Sequence, residues 1–303
     1  MADASTSPLG AFTEQVAHRA VTSACQQVGI SVDSAELIRM GSNAVFRIDA
    51  ETIARVAPST GHRANAQKQI DVARWLDAID YPATRAAAVP QPVEAEGRIA
   101  TFWKSVSPET VYAPIRDVAA LIRRLHALSV PASLVLPELC PFGSESDPLP
   151  EFVGLPSRDA HYLRRRIEWA RSAFLSLPYE LPAGVIHGDA NVGNVLVDTT
   201  GQAVLIDLDS FSTGPREWDL VQTSLFFDRL GWHSAEEYRA FVDTYGYDIM
   251  DWSGYSALSD MREIAMTSWL SKKADTSDAA AAEARKRIET VRTGRSRRDW
   301  GAY

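Results

Sequence analysis

The stretch "VIHGDANVGNVLVD", Val185–Asp198, runs through "TTG" into "QAVLIDLDS", Gln202–Ser210. Val195-Leu196-Val197 is a short β-branched run, and Ala203-Val204-Leu205 opens a second; between them lies a turn sequence with Gly201. Two such runs around a Gly-containing turn predict a β-hairpin. The hairpin brings Asn194, at the start of the first strand, near Asp207, at the end of the second. Amide and carboxylate oxygens are hard ligands suited to Mg²⁺. Asp189 lies five residues before Asn194, in the loop that enters the hairpin, where a carboxylate can take a proton from a group held beside a metal ion.

The 303-residue chain is 46% hydrophobic and 23% charged, with a formal charge of -8. That is long enough to bury a sizeable core in one large domain or two modest ones. An acidic balance argues against a general nucleic-acid surface. Cys25 and Cys140 are the two thiols; far apart in sequence, they fit a reducing compartment and offer no metal-ligand spacing. No basic region followed by an apolar run opens the sequence, and no 18-residue apolar stretch occurs, so neither a signal peptide nor a membrane span is expected, and the expected location is cytoplasmic.

Residues 11–29 read as an amphipathic helix ended by Gly29. In "AELIRMGSNAVFRIDAETIARVA" two apolar runs flank Gly41-Ser42-Asn43 and the turn Asp49-Ala50-Glu51, which predicts consecutive antiparallel strands. "HRANAQKQIDVARWLDAI" returns to helical period, and "VPQPVEAEGRIATFWKSV" reads as two strands about Glu96-Gly97. After Lys104 the character changes. "RDVAALIRRLHAL" and "HYLRRRIEWARSAFLSL" are long helical patterns on either side of a Pro-rich, irregular segment. Everything after the hairpin is helical: "EWDLVQTSLFFDRL", "SAEEYRAFVDTY", "SDMREIAMTSWLSKK" and "SDAAAAEARKRIETVR". The expected organisation is a small sheet-rich lobe, residues 1–104, and a larger helical lobe, residues 105–303.

An Asp, four spacers, an Asn and a later Asp is the arrangement that phosphoryl transfer uses, because that chemistry needs positioning and charge neutralisation more than covalent work. Asp189, Asn194 and Asp207 have that order. His187-Gly188-Asp189 stands where protein kinases carry His-Arg-Asp. The chain thus resembles the aminoglycoside phosphotransferase and choline kinase-like family, a small-molecule branch of the protein-kinase-like fold. Asn191 departs from the His frequent at that position. The resemblance implies an α+β, bilobal fold with an antiparallel sheet in the N-terminal lobe and a mostly helical C-terminal lobe. It implies that Asp189 is the catalytic base, Asn194 a Mg²⁺ ligand and Asp207 the principal one. Asp209 either touches a second ion or hydrogen-bonds the loop. His187 is read as a structural hydrogen-bonder rather than a proton shuttle. Asp219, in "GPREWDL", is read as bracing the catalytic loop through backbone amides.

"MGSNAVFRI" resembles the family's phosphate-covering loop with one Gly instead of three, which makes Ser42 and Asn43 candidates for phosphate contact. "TIARVA" places Arg55 where a Lys is usual; Arg keeps the charge and adds a bidentate fork. Gln69 stands at the position of the Glu that usually pairs with that cation, and its i, i+3, i+4, i+7 spacing with Val72, Ala73 and Leu76 puts it on an inward face. The purine of ATP or GTP is expected at the main chain near Lys104–Val106, with Trp103 as core packing. The acceptor is expected in the C-terminal lobe, with Asp228, Trp232, Glu263 and Trp269 as candidates. It is read as a hydroxylated small molecule, an aminoglycoside or another natural-product antibiotic. Nine acidic residues between Asp219 and Glu263 favour a cationic or neutral acceptor over an anion. The alternatives are a metabolite kinase acting on choline, an amino acid or a sugar, and a nucleotide-binding pseudokinase that regulates a partner.

Overall fold

The computed structural model describes residues 11–32 and 35–302. The chain forms two compact units. The first runs to Ala113 and takes in Pro131–Val135 and Gly193–Phe211; the second comprises Pro114–Val130, Leu136–Val192 and the chain from Ser212 onward. The sequence reading put the boundary after Lys104 and left the hairpin of residues 195–205 in the C-terminal lobe. By contacts, the hairpin belongs with the first unit.

In that unit, helix α1 (Glu14–Val28) starts where the Thr13 hydroxyl accepts the Val16 amide and stops at Gly29, whose left-handed φ of 73° lets its N–H reach back to the carbonyls of Cys25 and Gln26. Such a stop suits Gly because it has no Cβ to clash. Strands β1 (Glu36–Met40), β2 (Ala44–Arg47), β3 (Thr52–Ala57), β4 (Val93–Ala95) and β5 (Arg98–Lys104) form one antiparallel sheet in the order β1-β2-β3-β5-β4. The β4–β5 turn has positive φ at both Glu96 and Gly97, a twist that matches the flanking strands. Ala17, Ala20, Val21, Ala24 and Cys25 of α1 pack with Phe46, Val56 and Phe102 into one core. The small side chains of α1 let the helix lie close against the sheet.

Helix α2 (Arg63–Ala78) buries Gln69, Val72, Ala73 and Leu76, the face that its period predicts. The hairpin of β7 (Val195–Val197) and β8 (Ala203–Leu205) pairs Val195 with Leu205 and Val197 with Ala203. It is sewn into the unit by main-chain bonds from Thr84 to Leu205, from Ala113 to Val195 and from Val197 to Val111.

The second unit is built from α3 (Ile115–His126), α4 (Ser157–Phe174), α5 (Glu217–Asp228), α6 (Ala235–Tyr245), α7 (Tyr255–Ser271) and α8 (Asp278–Thr293). α3 packs on α6, α4 on α7 and α8, and α5 on α7. Helix α6 opens with a reciprocal capping box between Ser234 and Glu237 and closes at Gly246. The Pro-rich segment carries no helix, as expected; it adds a bridge from Glu138 to Thr213. A two-stranded sheet that the sequence reading did not anticipate, β6 (Gly184–Ile186) with β9 (Ser212–Gly214), pairs Val185 with Thr213 and Ile186 with Ser212. Three-residue strands are too short to show a period. Among the described residues no helix is long and apolar enough to cross a membrane.

The two thiols differ in a way that a reagent can read. Cys25 is buried in the α1 core, and burial, aided by the charge of Asp49, pushes its thiol up to about 11, whereas Cys140 is exposed. Because the thiolate is the reactive form, a native sample treated with a chromogenic disulfide near pH 8 is expected to release one equivalent fast, and the second only on unfolding. Two fast equivalents would mean that α1 does not seal the core.

Candidate active site

Strand β3 carries Arg55 in register between Val45 and Thr101. One guanidinium nitrogen, Nη1, donates to Gln69 Oε1 at 3.2 Å. The other, Nη2, reaches Asp207 Oδ1 at 3.2 Å and Asp209 Oδ2 at 3.3 Å. No carboxylate of α2 takes part in these contacts: the helix offers an amide, and the acids come from the segment after β8. Burial alone would lower the Arg55 guanidinium, but the charges and hydrogen bonds of Asp207 and Asp209 outweigh it and hold it above its ordinary value. One cation shared by two acids leaves each incompletely neutralised. Burial, with the Asp207 charge beside it, keeps the Asp209 carboxyl raised against the pull of Arg55 and Lys68.

Lys68, one residue before Gln69, points to the same segment. Its Nζ donates to the carbonyls of Asp209 at 2.6 Å and Phe211 at 3.1 Å, and burial lowers its ammonium despite the Asp209 charge. Asn43 and Asn65 each reach Asp209 at 3.5 Å. Together Ser42, Asn43, Arg55, Asn65, Gln69 and Asp209 line a cavity of about 190 Å³. The main-chain amides of Lys104 and Ser105 are already committed, to Arg85 O at 2.8 Å and Glu51 O at 2.6 Å. A purine edge expected at Lys104–Val106 therefore meets no open amide at residues 104 and 105.

The Ile206 amide donates to Asn194 O at 2.9 Å, which closes the open end of the β7–β8 hairpin and sets Asn194 and Asp207 at the same end. Asp207 has φ 62° and ψ 69°. Outside Gly that left-handed geometry is uncommon, and Asp and Asn are the side chains that adopt it most readily. Strain of this kind is concentrated at working sites. Among the described residues no group of three or more His, Cys, Asp or Glu side chains forms a metal cage. An amide and one or two carboxylates do fit Mg²⁺, which commonly takes few protein ligands and completes its shell with phosphate oxygens and water.

In the second unit β6 delivers the loop His187-Gly188-Asp189, and α5 holds it. The Asp219 carboxylate, 1% exposed, accepts the His187 amide at Oδ2 and the Gly188 amide at Oδ1, both at 2.7 Å. Its Oδ2 also meets His126 Nε2 at 3.1 Å, and His126 Nδ1 in turn meets the Tyr245 hydroxyl at 2.8 Å. Gly188 takes a φ of 83°, which a side chain would resist. Its carbonyl accepts the Trp218 indole N–H at 3.0 Å. His187 is fully buried and accepts the Asp189 amide at Nδ1, 3.3 Å away. Asp189 keeps its side chain 43% exposed, and its Oδ1 is paired with Arg262 Nη2 at 2.5 Å.

The acceptor candidates fare unevenly. Glu263 is a correction: it is fully buried and clamped by Arg229 at 3.0 Å and Arg297 at 3.1 Å, an internal ion cluster instead of an open carboxylate. Asp228 accepts the Tyr255 hydroxyl at 3.1 Å. Trp232 packs on Phe226, and Trp269 lies on the surface beneath Lys273. The charge argument for a cationic acceptor weakens with them. Asp219 is buried on His126, Glu237 caps α6, Asp248 serves Tyr238 and Met250, and Asp260 pairs with Arg229 and Arg166. Sequence reasoning missed His126, Arg262, Lys68, Asn65 and also Gln222, whose Oε1 accepts from Arg262 Nη2. The one signal for Arg262 was a cation inside the helical segment "SDMREIAMTSWL".

Burial would raise the Asp219 carboxyl, but the His126 hydrogen bond and charge, the His187 charge and the His187 amide outweigh it and hold it below the usual range. A folded value below the unfolded one, about 3.9, means that its stabilisation is complete above that pH and is lost as pH falls through the folded value. Asp219→Asn is therefore expected to cost about 3–5 kcal/mol at neutral pH, the scale for breaking a buried ionic partner. In urea unfolding the gap to wild type should shrink as the pH is lowered below 4. A gap that stays constant from pH 7 to pH 3 would show that the carboxylate charge is not what holds the loop.

Comparison with known proteins places this geometry. In the curated set, an 89-residue segment is 36% identical to a probable ketoamine kinase of Lactiplantibacillus plantarum, covering 29% of this chain and 29% of that protein. The match thus spans under a third of the curated relative's length. Among solved structures, the fold is similar to the amicoumacin kinase hAmiN in complex with AMP-PNP, Ca²⁺ and Ami, with a TM-score of 0.66 at 12% identity over 89% of this chain and 91% of that one. It is also similar to APH(2")-IIia in complex with GDP and kanamycin, TM-score 0.62, 16% identity, 90% and 98% of the two chains. The choline kinase LicA from Streptococcus pneumoniae follows the same fold, TM-score 0.57, 14% identity, 86% and 94%. A phosphotransferase enzyme family model matches residues 35–258, and with the α+β kinase-like architecture and the Asp-x4-Asn loop in place, the chain belongs to the phosphotransferase enzyme family.

Proposed function

We propose that the chain transfers the γ-phosphoryl group of ATP or GTP to a hydroxyl of a small polar natural product, an antibiotic of the aminoglycoside, nucleoside or peptide type, and so acts as a resistance phosphotransferase. The observation that carries this reading is the His187-Gly188-Asp189 loop. Its backbone is fixed by the buried Asp219, while the Asp189 carboxylate remains 43% exposed. In this reading Asp189 takes the proton from the acceptor hydroxyl as its oxygen bonds to the γ-phosphorus and the bond to the β–γ bridging oxygen breaks. Arg55, with Ser42 and Asn43, contacts the nucleotide phosphates; Gln69 and Asp209 set the orientation of Arg55. Asn194 and Asp207 would hold Mg²⁺, which when bound supplies the positive charge that phosphoryl transfer needs on the phosphate oxygens. The similar folds solved with kanamycin and with amicoumacin support the acceptor class.

A second reading, a kinase for a sugar-derived or other metabolite hydroxyl, is favoured by the ketoamine kinase segment. Radiolabelled Mg·ATP and Mg·GTP offered with panels of antibiotics and of ketoamines, choline and sugars separate the two. Transfer to an antibiotic above all metabolites is the expected result. Preferred transfer to a ketoamine or choline would replace the first reading with the second, and transfer to nothing would favour a regulatory pseudokinase.

Asp189→Asn is expected to lower kcat by ~10²–10⁴, the range for a general base, with nucleotide affinity intact; near-wild-type turnover would remove Asp189 from the chemistry. The metal assignment has its own check. A carboxylate brings a full charge to the ion and an amide only a dipole. Calorimetric titration with Mg·nucleotide should therefore show a larger loss for Asp207→Ala than for Asn194→Ala; equal losses would mean the two do not rank as ligands.

A further inference from the structure

Arg262, on α7, is 7% exposed and has an unusual set of partners for a buried cation. Its Nη2 reaches both Asp189 Oδ1 and Gln222 Oε1. Its Nη1 lies 3.5 Å from Gly188 O, and its Nε is buried with no hydrogen-bond partner. The guanidinium stands 4.9 Å from the centroid of the Trp218 ring, whose own N–H holds the same Gly188 carbonyl.

Stability alone does not account for this arrangement. A buried charge is costly, and one that leaves a donor unsatisfied is a worse bargain than an apolar side chain of the same size. The arrangement does fix a direction. Trp218 and Gln222 belong to α5, so the guanidinium is held from the protein side. The terminal torsion of an Asp side chain is otherwise broad. A charge-assisted bond to Oδ1 sets the carboxylate plane, and a general base works only when its oxygen lies within hydrogen-bond reach of the proton it takes.

We infer that Arg262 is the positioning residue of the base: it grips Oδ1 of Asp189 from the buried side and fixes the carboxylate for the acceptor hydroxyl. The inference rests on the reading of Asp189 as the base. Arg suits the place better than Lys because its plane is fixed at two nitrogens, Nη2 on Gln222 and Asp189 and Nη1 toward Gly188 O, whereas an ammonium on a flexible stem presents no such plane.

The test needs no identified acceptor, since water can serve: the rate of γ-phosphate release from Mg·ATP is measured for wild type, Arg262→Ala, Arg262→Lys and Asp189→Asn, each with and without millimolar guanidinium chloride. Arg262→Ala is expected to lower kcat by ~10–10², the scale of a misplaced reacting group, with an unchanged KM for Mg·ATP. Guanidinium, but not sodium chloride, should restore part of that loss. Arg262→Lys should fall between, and is the variant to read if the Ala protein does not accumulate. Asp189→Asn should be slow and indifferent to guanidinium. The inference is overturned if kcat of both Arg262 variants stays within about twofold of wild type. It is equally overturned if their losses track a lowered melting temperature and ignore guanidinium. Wild-type hydrolysis by Asp189→Asn would bring down the reading of the base itself, a result distinct from either.

Discussion

The second unit turns on one carboxylate. Asp219 is buried, and each of its oxygens is taken: Oδ1 by the Gly188 amide, Oδ2 by the His187 amide and by His126. A carboxylate receiving several N–H donors is stabilised in its charged form, and the donors are fixed in return. This is what lets Gly188 keep a φ of 83° and lets the next residue project its side chain away from the core. Helix α5 supplies Asp219 from its first turn, where the helix end favours negative charge. Trp218 and Gln222 come from the same helix. α5 is thus the rigid element on which the loop, and through Arg262 the Asp189 carboxylate, are set.

Much of this was legible in the sequence because it is local. The β7–β8 hairpin, the turn at Glu96-Gly97, the Gly29 stop and the buried face of α2 each follow from residues within a dozen positions of one another. Asp219 could be named because "GPREWDL" resembles the family's segment that follows the hairpin. What stayed hidden depends on long-range contact. Strands β6 and β9 are three residues each and pair from Ile186 to Ser212 across the 25 residues between them, with no period to reveal them. His126 and Arg262 meet their carboxylates over sequence separations of 93 and 73, which no spacing rule reaches.

The same limit explains the misread acids. A count of Asp and Glu in a helical segment gives charge, yet says nothing about where each charge is spent. Glu263 and Asp260 sit one turn apart on α7, and Arg229 bonds both of them. Arg297, from the segment after α8, closes on Glu263 as well. These groups tie α7 to its neighbours and leave little of their field for a ligand.

The first unit uses the opposite economy of charge. Arg55 is the cation of this cavity, and with the helix offering the Gln69 amide and no carboxylate, its pairing falls to Asp207 and Asp209. A Lys would bring its three donors from a single nitrogen, whereas the guanidinium holds the Gln69 amide with one nitrogen and the two carboxylates with another in a fixed plane. Gln at residue 69 is compatible with this pairing of Arg55. A third carboxylate at residue 69 would compete for a cation already shared by two and would add a buried negative charge without a partner, which is costly. Gln69 fixes the guanidinium by a neutral hydrogen bond, and Lys68 beside it holds the acid-bearing segment by its main chain at Asp209 and Phe211. Position and charge, which one Lys–Glu pair would supply together, are here divided between adjacent residues of α2.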